Sequence, residues 1–209
     1  MKITVGACAL TLFGMASVQA NAGVIYTFGN ITANNVANAA AGESQLSVEV
    51  DAVGLNQVSF KFTNAGPIAM SITDIYFDDG TLLGISTVTN GGPGVDFAQG
   101  ASPGNLPGGN ALSPAFQTTA GFSSDSNPPT QPNGVGPGEM VTIVFSLING
   151  MTYADTINAL NTQGDHLRIG IHVQGFANGG SESFVNRVPA PGALALLGLG
   201  GLAAARRRR

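Results

Sequence analysis

The chain has one cysteine, no tryptophan and only eight basic residues among its 209. The cysteine, Cys8, lies in the first 22 residues, so a chain starting after them has no disulfide and must be held together by its core. Basic residues are scarcest in the middle: between Asn21 and Val188 only Lys61, Arg168 and Arg187 occur, against all 12 acidic residues. Such a field repels nucleic-acid phosphates and anionic lipid, which excludes DNA or RNA as a partner. Catalytic patterns are also missing. Gly91–Gly94 (GGPG) has no phosphate-binding lysine behind it, and no nucleophile elbow occurs.

What is present begins with a targeting segment. Met1-Lys2 is positive, Ile3 to Val18 is small and apolar, and Val18-Gln19-Ala20 and Ala20-Asn21-Ala22 both fit the small-x-small rule of signal peptidase. Residues 1–22 therefore read as a signal peptide cleaved at Ala20 or Ala22. Ala22 is preferred because Gly23 leads directly into VIYTF, a strand-forming run. The alternative, an uncleaved anchor, is disfavoured by an apolar stretch that is short and broken by Gly6 and Gly14.

Residues 23–187 then read as one extracytoplasmic domain. At roughly 165 residues it buries about 68–70% of its unfolded surface, enough for a core without staples. SQLSVEVDAV (Ser44 to Val53) and QVSFKF (Gln57 to Phe62) alternate apolar and polar residues, and the Gly54–Asn56 break predicts a hairpin between them. In MSITDIYFDDG, Met70 and Ile72 fall on the opposite parity from Ile75 and Phe77, which a bulge near Thr73 reconciles. From Thr89 to Gly138 come eight of the 11 prolines, 11 of the 30 glycines and no lysine or arginine, so long helices and central strands are excluded. This predicts a loop-rich insertion with one or two short edge strands, pinned by Leu106, Leu112, Phe116 and Phe122; disorder over Ser123 to Gly138 is the alternative.

Alternation returns at Val141, Ile143, Phe145 and Leu147. TYADTINALNTQG predicts the single helix: Thr152 and Asp155 have N-terminal box spacing, Tyr153, Ile157 and Leu160 share a face, and Gly164 stops it. LRIGIHVQGF predicts the strongest strand, with Leu167, Ile169, Ile171 and Val173 inward, and SFVN (Ser183 to Asn186) closes the sheet. Many strands with one small helix indicate an all-β fold, an antiparallel, jelly-roll-like β-sandwich.

The end of the chain, VPAPGALALLGLGGLAAARRRR, reads as a membrane segment with a basic stop. Gly192 to Ala205 are uncharged and span about 21 Å as helix; counted from Val188 the span is about 27 Å, against a hydrocarbon core of about 30 Å. Arg206, Arg207, Arg208 and Arg209 can snorkel to complete it and form a cytoplasmic stop that leaves the acidic domain outside. A core helix with a disordered basic tail is the alternative.

LRIGIHVQGFANGGSESFVN, followed by Val188, Pro189, Ala190 and Pro191, an apolar span and terminal arginines, resembles the C-terminal part of PEP-CTERM proteins. In that family a Pro-Glu-Pro motif, an apolar helix and a basic end form a sorting signal. The resemblance implies export across the inner membrane, processing by an exosortase-type enzyme, a membrane-anchored precursor, and a cell-surface or extracellular product in the company of exopolysaccharide and biofilm. Residues 188–209 are the sorting segment, with Ala190 where the family has glutamate.

Chemistry beyond sorting is sparse. His166 and His172 are about 20 Å apart along one outward strand face and cannot chelate one metal together; a solvated strand edge is expected there. Asp165-His166 beside Arg168 lacks the partners of a catalytic set. Asp74, Asp78 and Asp79 with Gly80 lack the alternating ligands of a calcium loop and read as an acidic turn. No cofactor, metal or catalytic residue is expected. The preferred function is a non-enzymatic surface or matrix protein; a glycan-binding module, with calcium or without it, is the alternative, and a hydrolase has no motif to carry it.

Overall fold

The computed structural model describes residues 23–91, 93–162 and 166–189. Ten strands form one ladder. In chain order they are β1 (Val24–Asn30), β2 (Leu46–Val53), β3 (Gln57–Asn64), β4 (Ser71–Asp79), β5 (Leu83–Asn90), β6 (Phe97–Gln99), β7 (Ser123–Ser126), β8 (Met140–Leu147), β9 (Leu167–Gln174) and β10 (Glu182–Asn186). Their spatial order is β5-β8-β3-β2-β1-β10-β9-β4-β7-β6, with every pairing antiparallel. The chain is all-β.

β1 divides the ladder. Its first half, Val24 to Thr27, pairs with β2, and its second half, Phe28 to Asn30, pairs with β10. The sheet folds over at this strand, so that the two halves face each other across aromatic rings. Phe77 of β4 meets Phe60 of β3 at 5.0 Å and Phe145 of β8 at 4.8 Å, both edge-to-face, and Phe28 stacks on Phe62 at 6.4 Å. Each ring is almost fully buried, contributing about 1.5–3 kcal/mol by burial and about 0.5–1.5 kcal/mol more per well-placed pair.

Alternation is realised as expected in β2, β3, β8 and β9, whose inward residues (Val48, Val50, Phe60, Phe62, Val141, Ile143, Leu167, Ile169, Ile171, Val173) are buried. The hairpin between β2 and β3 turns through Gly54 at φ +64°, a conformation suited to glycine. The β4–β9 register shifts between Ile72 and Asp74, so Thr73 is the bulged residue. The insertion holds the short strands β6 and β7, and Ser123 to Gly138 is built in: Val135 exchanges backbone hydrogen bonds with Ile72. At the helix Tyr153–Thr162, the Asp155 carboxylate accepts from the Thr152 N–H and hydroxyl, both at 2.7 Å, and Leu160 is fully buried.

Three expectations are corrected. The single helix is one of three α-helices among the described residues: α1 (Val36–Gln45), α2 (Thr130–Asn133) and α3 (Tyr153–Thr162). α1 starts because the Asn35 side chain accepts from the Ala37 and Asn38 amides, and its run of alanines favours helix; Ser44 and Gln45 belong to it, and β2 starts at Leu46. Second, β5 forms where no strand was expected. Third, the segment containing Ser183 to Asn186 does not close the sheet but lies inside it, between β1 and β9.

A buried amide pair joins these elements. Gln45, at the end of α1, donates to the Asn64 Oδ1 at 2.8 Å and exchanges hydrogen bonds with Ile68, while Asn64 donates to the Met70 and Val135 carbonyls. Nearly every polar atom of the pair is satisfied, which is the condition for burying amides without cost.

Candidate functional site

The outer face of the β10-β9-β4-β7 half carries most of the unusual chemistry. Cross-strand register arranges it in rows. Asp125, Asp74, His172 and Ser183 face one another across β7, β4, β9 and β10; Tyr76, Gly170 and Val185 form the next row; Asp78 and Arg168 form the last.

The middle row is where the insertion docks. Leu106 and Phe116 pack with Tyr76 in a satellite cluster over Gly170, where an added Cβ would lie 2.6 Å from Leu106 Cδ2. The Tyr76 hydroxyl donates to the Pro103 carbonyl at 3.0 Å, and Thr119 bridges to the Asp79 backbone with its hydroxyl as both donor (2.8 Å) and acceptor (2.9 Å). Arg168 secures the rest. Its guanidinium pairs with Asp78, donates to the Pro114 and Ala115 carbonyls at 2.8 and 2.7 Å, and lies over the Phe116 ring. Leu112 and Phe122 are half-buried against the satellite cluster and the main core respectively.

The first row superficially resembles catalytic machinery. His172 Nδ1 lies 3.0 Å from Ser183 Oγ, and Asp74 sits across the strand pair from the histidine. Ser183, however, is fully buried, so its hydroxyl has no path to a substrate. Burial also lowers the His172 pKa, against the opposing charge of Glu182, and keeps the ring neutral near pH 7. The expectation of a solvated edge is corrected for His172, which is half-buried on an interior strand; His166 is exposed.

The acidic residues are dispersed rather than gathered in one turn. Asp74 is 3% exposed, accepts from Thr73 Oγ1 at 2.8 Å, and is pushed up to about 6 by burial and the neighbouring Asp125. Asp78 serves Arg168. Asp79 accepts from the Leu82 and Leu83 amides, and burial raises its pKa. Among the described residues no group of three or more His, Cys, Asp or Glu could hold a metal ion.

Glu182 is the feature hardest to foresee. Its fully buried carboxylate accepts from Thr32 Oγ1 (2.6 Å), Asn30 Nδ2 (2.9 Å) and the Asn34 and Asn35 amides (3.2 and 2.6 Å). Burial pushes its pKa up, but these four donors outweigh it and hold the group below 4.5. It shapes the turn from β1 into α1.

Two clefts flank the docked loop. One, of about 690 Å³, is lined without any charge by Asn105, Asn110, Gln117, Thr118, Phe116 and neighbouring loop residues. The other, of about 370 Å³, brings Arg168 and Arg187 to one wall; Arg187 lies over Gly29 and bonds Glu43 at 2.6 Å. A third, of about 460 Å³, lies between the β4–β5 turn and α3 and includes Asp79, Asp155 and His166.

Ala20, Ala22, Ala190, Pro191 and Arg206 to Arg209 lie outside the described residues, as do Gly164 and Asp165. Val188 and Pro189 lie just beyond β10, after Arg187, and Val188 is exposed. No helix among the described residues is long and apolar enough to cross a membrane. No family model, no curated protein and no solved structure matches the chain.

Proposed function

We propose that the chain is an exported surface or extracellular-matrix protein, carried across the inner membrane by residues 1–22 and sorted through residues 188–209 by an exosortase-type enzyme. Its all-β domain is a jelly-roll-like sandwich without a catalytic role that associates with exopolysaccharide. The observation that carries this reading is the terminal pattern: Val188-Pro189-Ala190-Pro191, an uncharged span to Ala205, and Arg206 to Arg209.

The fold supports it at the junction. The Arg187 amide donates to the Thr27 carbonyl at 2.8 Å, and its guanidinium reaches Glu43, so the last strand stays tied to the first up to the residue before the motif. Cleavage beyond Arg187 leaves every ladder hydrogen bond in place. Removing Val188 to Arg209 releases folded protein into the medium if the segment is the anchor; retention at the membrane contradicts it.

The uncharged cleft favours a second reading, a saccharide-binding module. The Asn105, Asn110 and Gln117 carboxamides offer both donors and acceptors, as sugar hydroxyls require, and the volume falls within the range of about 300–1,000 Å³ of small-ligand sites. Binding of neutral oligosaccharides that is lost in Gln117→Ala and Asn110→Ala, and unaffected by calcium, supports this module.

A further inference from the structure

We infer that the directly opposed carboxyl groups of Asp74 and Asp125 form a proton-operated latch that holds the cleft-bearing loop and the β6–β7 ribbon against the sheet. The two residues are cross-strand partners in β4 and β7. Asp74 is almost completely buried and stands directly opposite Asp125 on the same face, where two ionised carboxyls repel and a proton shared between them relieves both the burial and the repulsion.

The pair connects directly to what it would hold. Asp125 faces Ala98 of β6, and the Gly100 amide just before the loop donates to the Ser123 carbonyl of β7 at 2.8 Å. Tyr76, two residues beyond Asp74 on the same face, anchors Pro103 through its hydroxyl. β7 is also the strand on which β6 is hung: Phe97, Ala98 and Gln99 pair with Ser126, Asp125 and Ser124. Loss of the shared proton places like charges opposite each other at the root of the ribbon and the loop, where such pairs oppose strand association.

The Thr73 hydroxyl donates to Asp74, but among the described residues no cation faces the pair. From β9 the facing residue is His172, neutral and bonded to Ser183, with Glu182 beyond it adding further negative charge. From β4 itself come Tyr76 and Asp78, and the nearby guanidinium of Arg168 is already committed to Asp78. The segment 97–124, which contains β6 and the loop, has no charged residue, and neither has α2. Asp96 and Glu139 flank β6 and β8 with further carboxylates, and Lys61, which faces Thr142 of β8 in the other half of the sheet, is paired with Glu49. Among the described residues the pair therefore has no unpaired cation beside it to exchange for its proton.

The consequence rests on the saccharide reading only in that the loop carries the uncharged cleft; the latch itself is read without any ligand. Amide hydrogen exchange of the full-length protein at about pH 4.5 and about pH 7.5, corrected for intrinsic rates, measures it. Protection of peptides from 97–126 falls roughly tenfold or more at the higher pH relative to β8, the size expected for one lost proton-mediated contact. Asp74→Asn, whose amide can donate to Asp125 at any pH, keeps that protection. Asp125→Asn, at the less buried partner, does the same and serves if the first variant fails to fold. Equal loss of protection in wild type and Asp125→Asn, or no pH dependence in wild type, overturns the latch. Loss of oligosaccharide binding with the exchange pattern intact overturns the saccharide reading instead.

Discussion

Asp78 and Arg168 face each other across the β4–β9 pair, and the same guanidinium holds two carbonyls of the insertion, those of Pro114 and Ala115. One ion pair thereby fastens a loop without basic residues to the most deeply buried strand of the sheet. Arg168→Ala leaves Asp78 without its cation and two carbonyls without donors, and lowers stability by about 3 kcal/mol in urea unfolding. In the variant, thermolysin cuts first between residues 101 and 121. Initial cleavage in β8 or β9 contradicts this assignment of the loop.

Gly170 sets how closely the same loop approaches. A Cβ there meets Leu106 and Phe116 well inside contact distance. Gly170→Ala therefore costs about 1–3 kcal/mol by overpacking and frees the loop, although alanine suits a strand no worse than glycine does. Melting curves with and without Leu106→Ala as a second substitution check it: the double variant recovers part of the loss.

The pH profile has an acid limb set by Glu182. Its pKa is depressed in the folded chain, so its contribution is fully present above the ordinary value of 4.5 and is lost as pH falls through the lower folded value. Asp74 acts in the opposite sense: raised to about 6 from 3.8, it gives stability at low pH that is lost as pH rises through that interval. Maximum thermal stability is expected between these two limbs. Glu182→Gln flattens the acid limb, and Asp74→Asn flattens the alkaline one by about 1–3 kcal/mol.

Strands with an alternating apolar face were legible in the sequence because facing the core imposes a period of two, and Leu167 to Val173 or Val141 to Leu147 have no competing pattern, although the outer face of Leu167 to Val173 is also covered, by the docked loop. The Thr73 bulge was legible as a break in that parity. α1 was not, because Asn35 caps it while its alanines give no apolar stripe, and β5 was not, because Leu83 to Asn90 mixes glycine with small polar residues. The rows on the outer face depend on pairings between strands as distant as β4, β7, β9 and β10. Spacing along the chain suggests nothing of Asp74 beside Asp125, or of Glu182 beneath Thr32.

The histidines are expected to be dispensable for surface function. His166→Ala is neutral within about 0.5 kcal/mol, and His172→Ala costs about 1 kcal/mol for the lost bond to Ser183. Neither changes localisation or cell-surface behaviour. A clear loss in either variant, with the fold retained, returns enzymatic or metal chemistry to consideration.

Processing at Ala190 is open to gain as well as loss of function. Ala190→Glu, which restores the usual residue of the resembled motif, increases the processed fraction of the surface protein on immunoblots. Replacing Arg206 to Arg209 by alanine weakens the stop and mislocalises the precursor. An unchanged ratio of precursor to product in both variants contradicts recognition of this segment.

The most direct measurement is mass spectrometry of the C-terminal peptide of the surface form after trypsin, which cuts after Arg187. Sorting with cleavage predicts a peptide that starts at Val188 and ends near Pro191. A peptide running intact through Ala205 in most surface molecules contradicts cleavage, and full-length protein retained in the cytoplasm contradicts export itself.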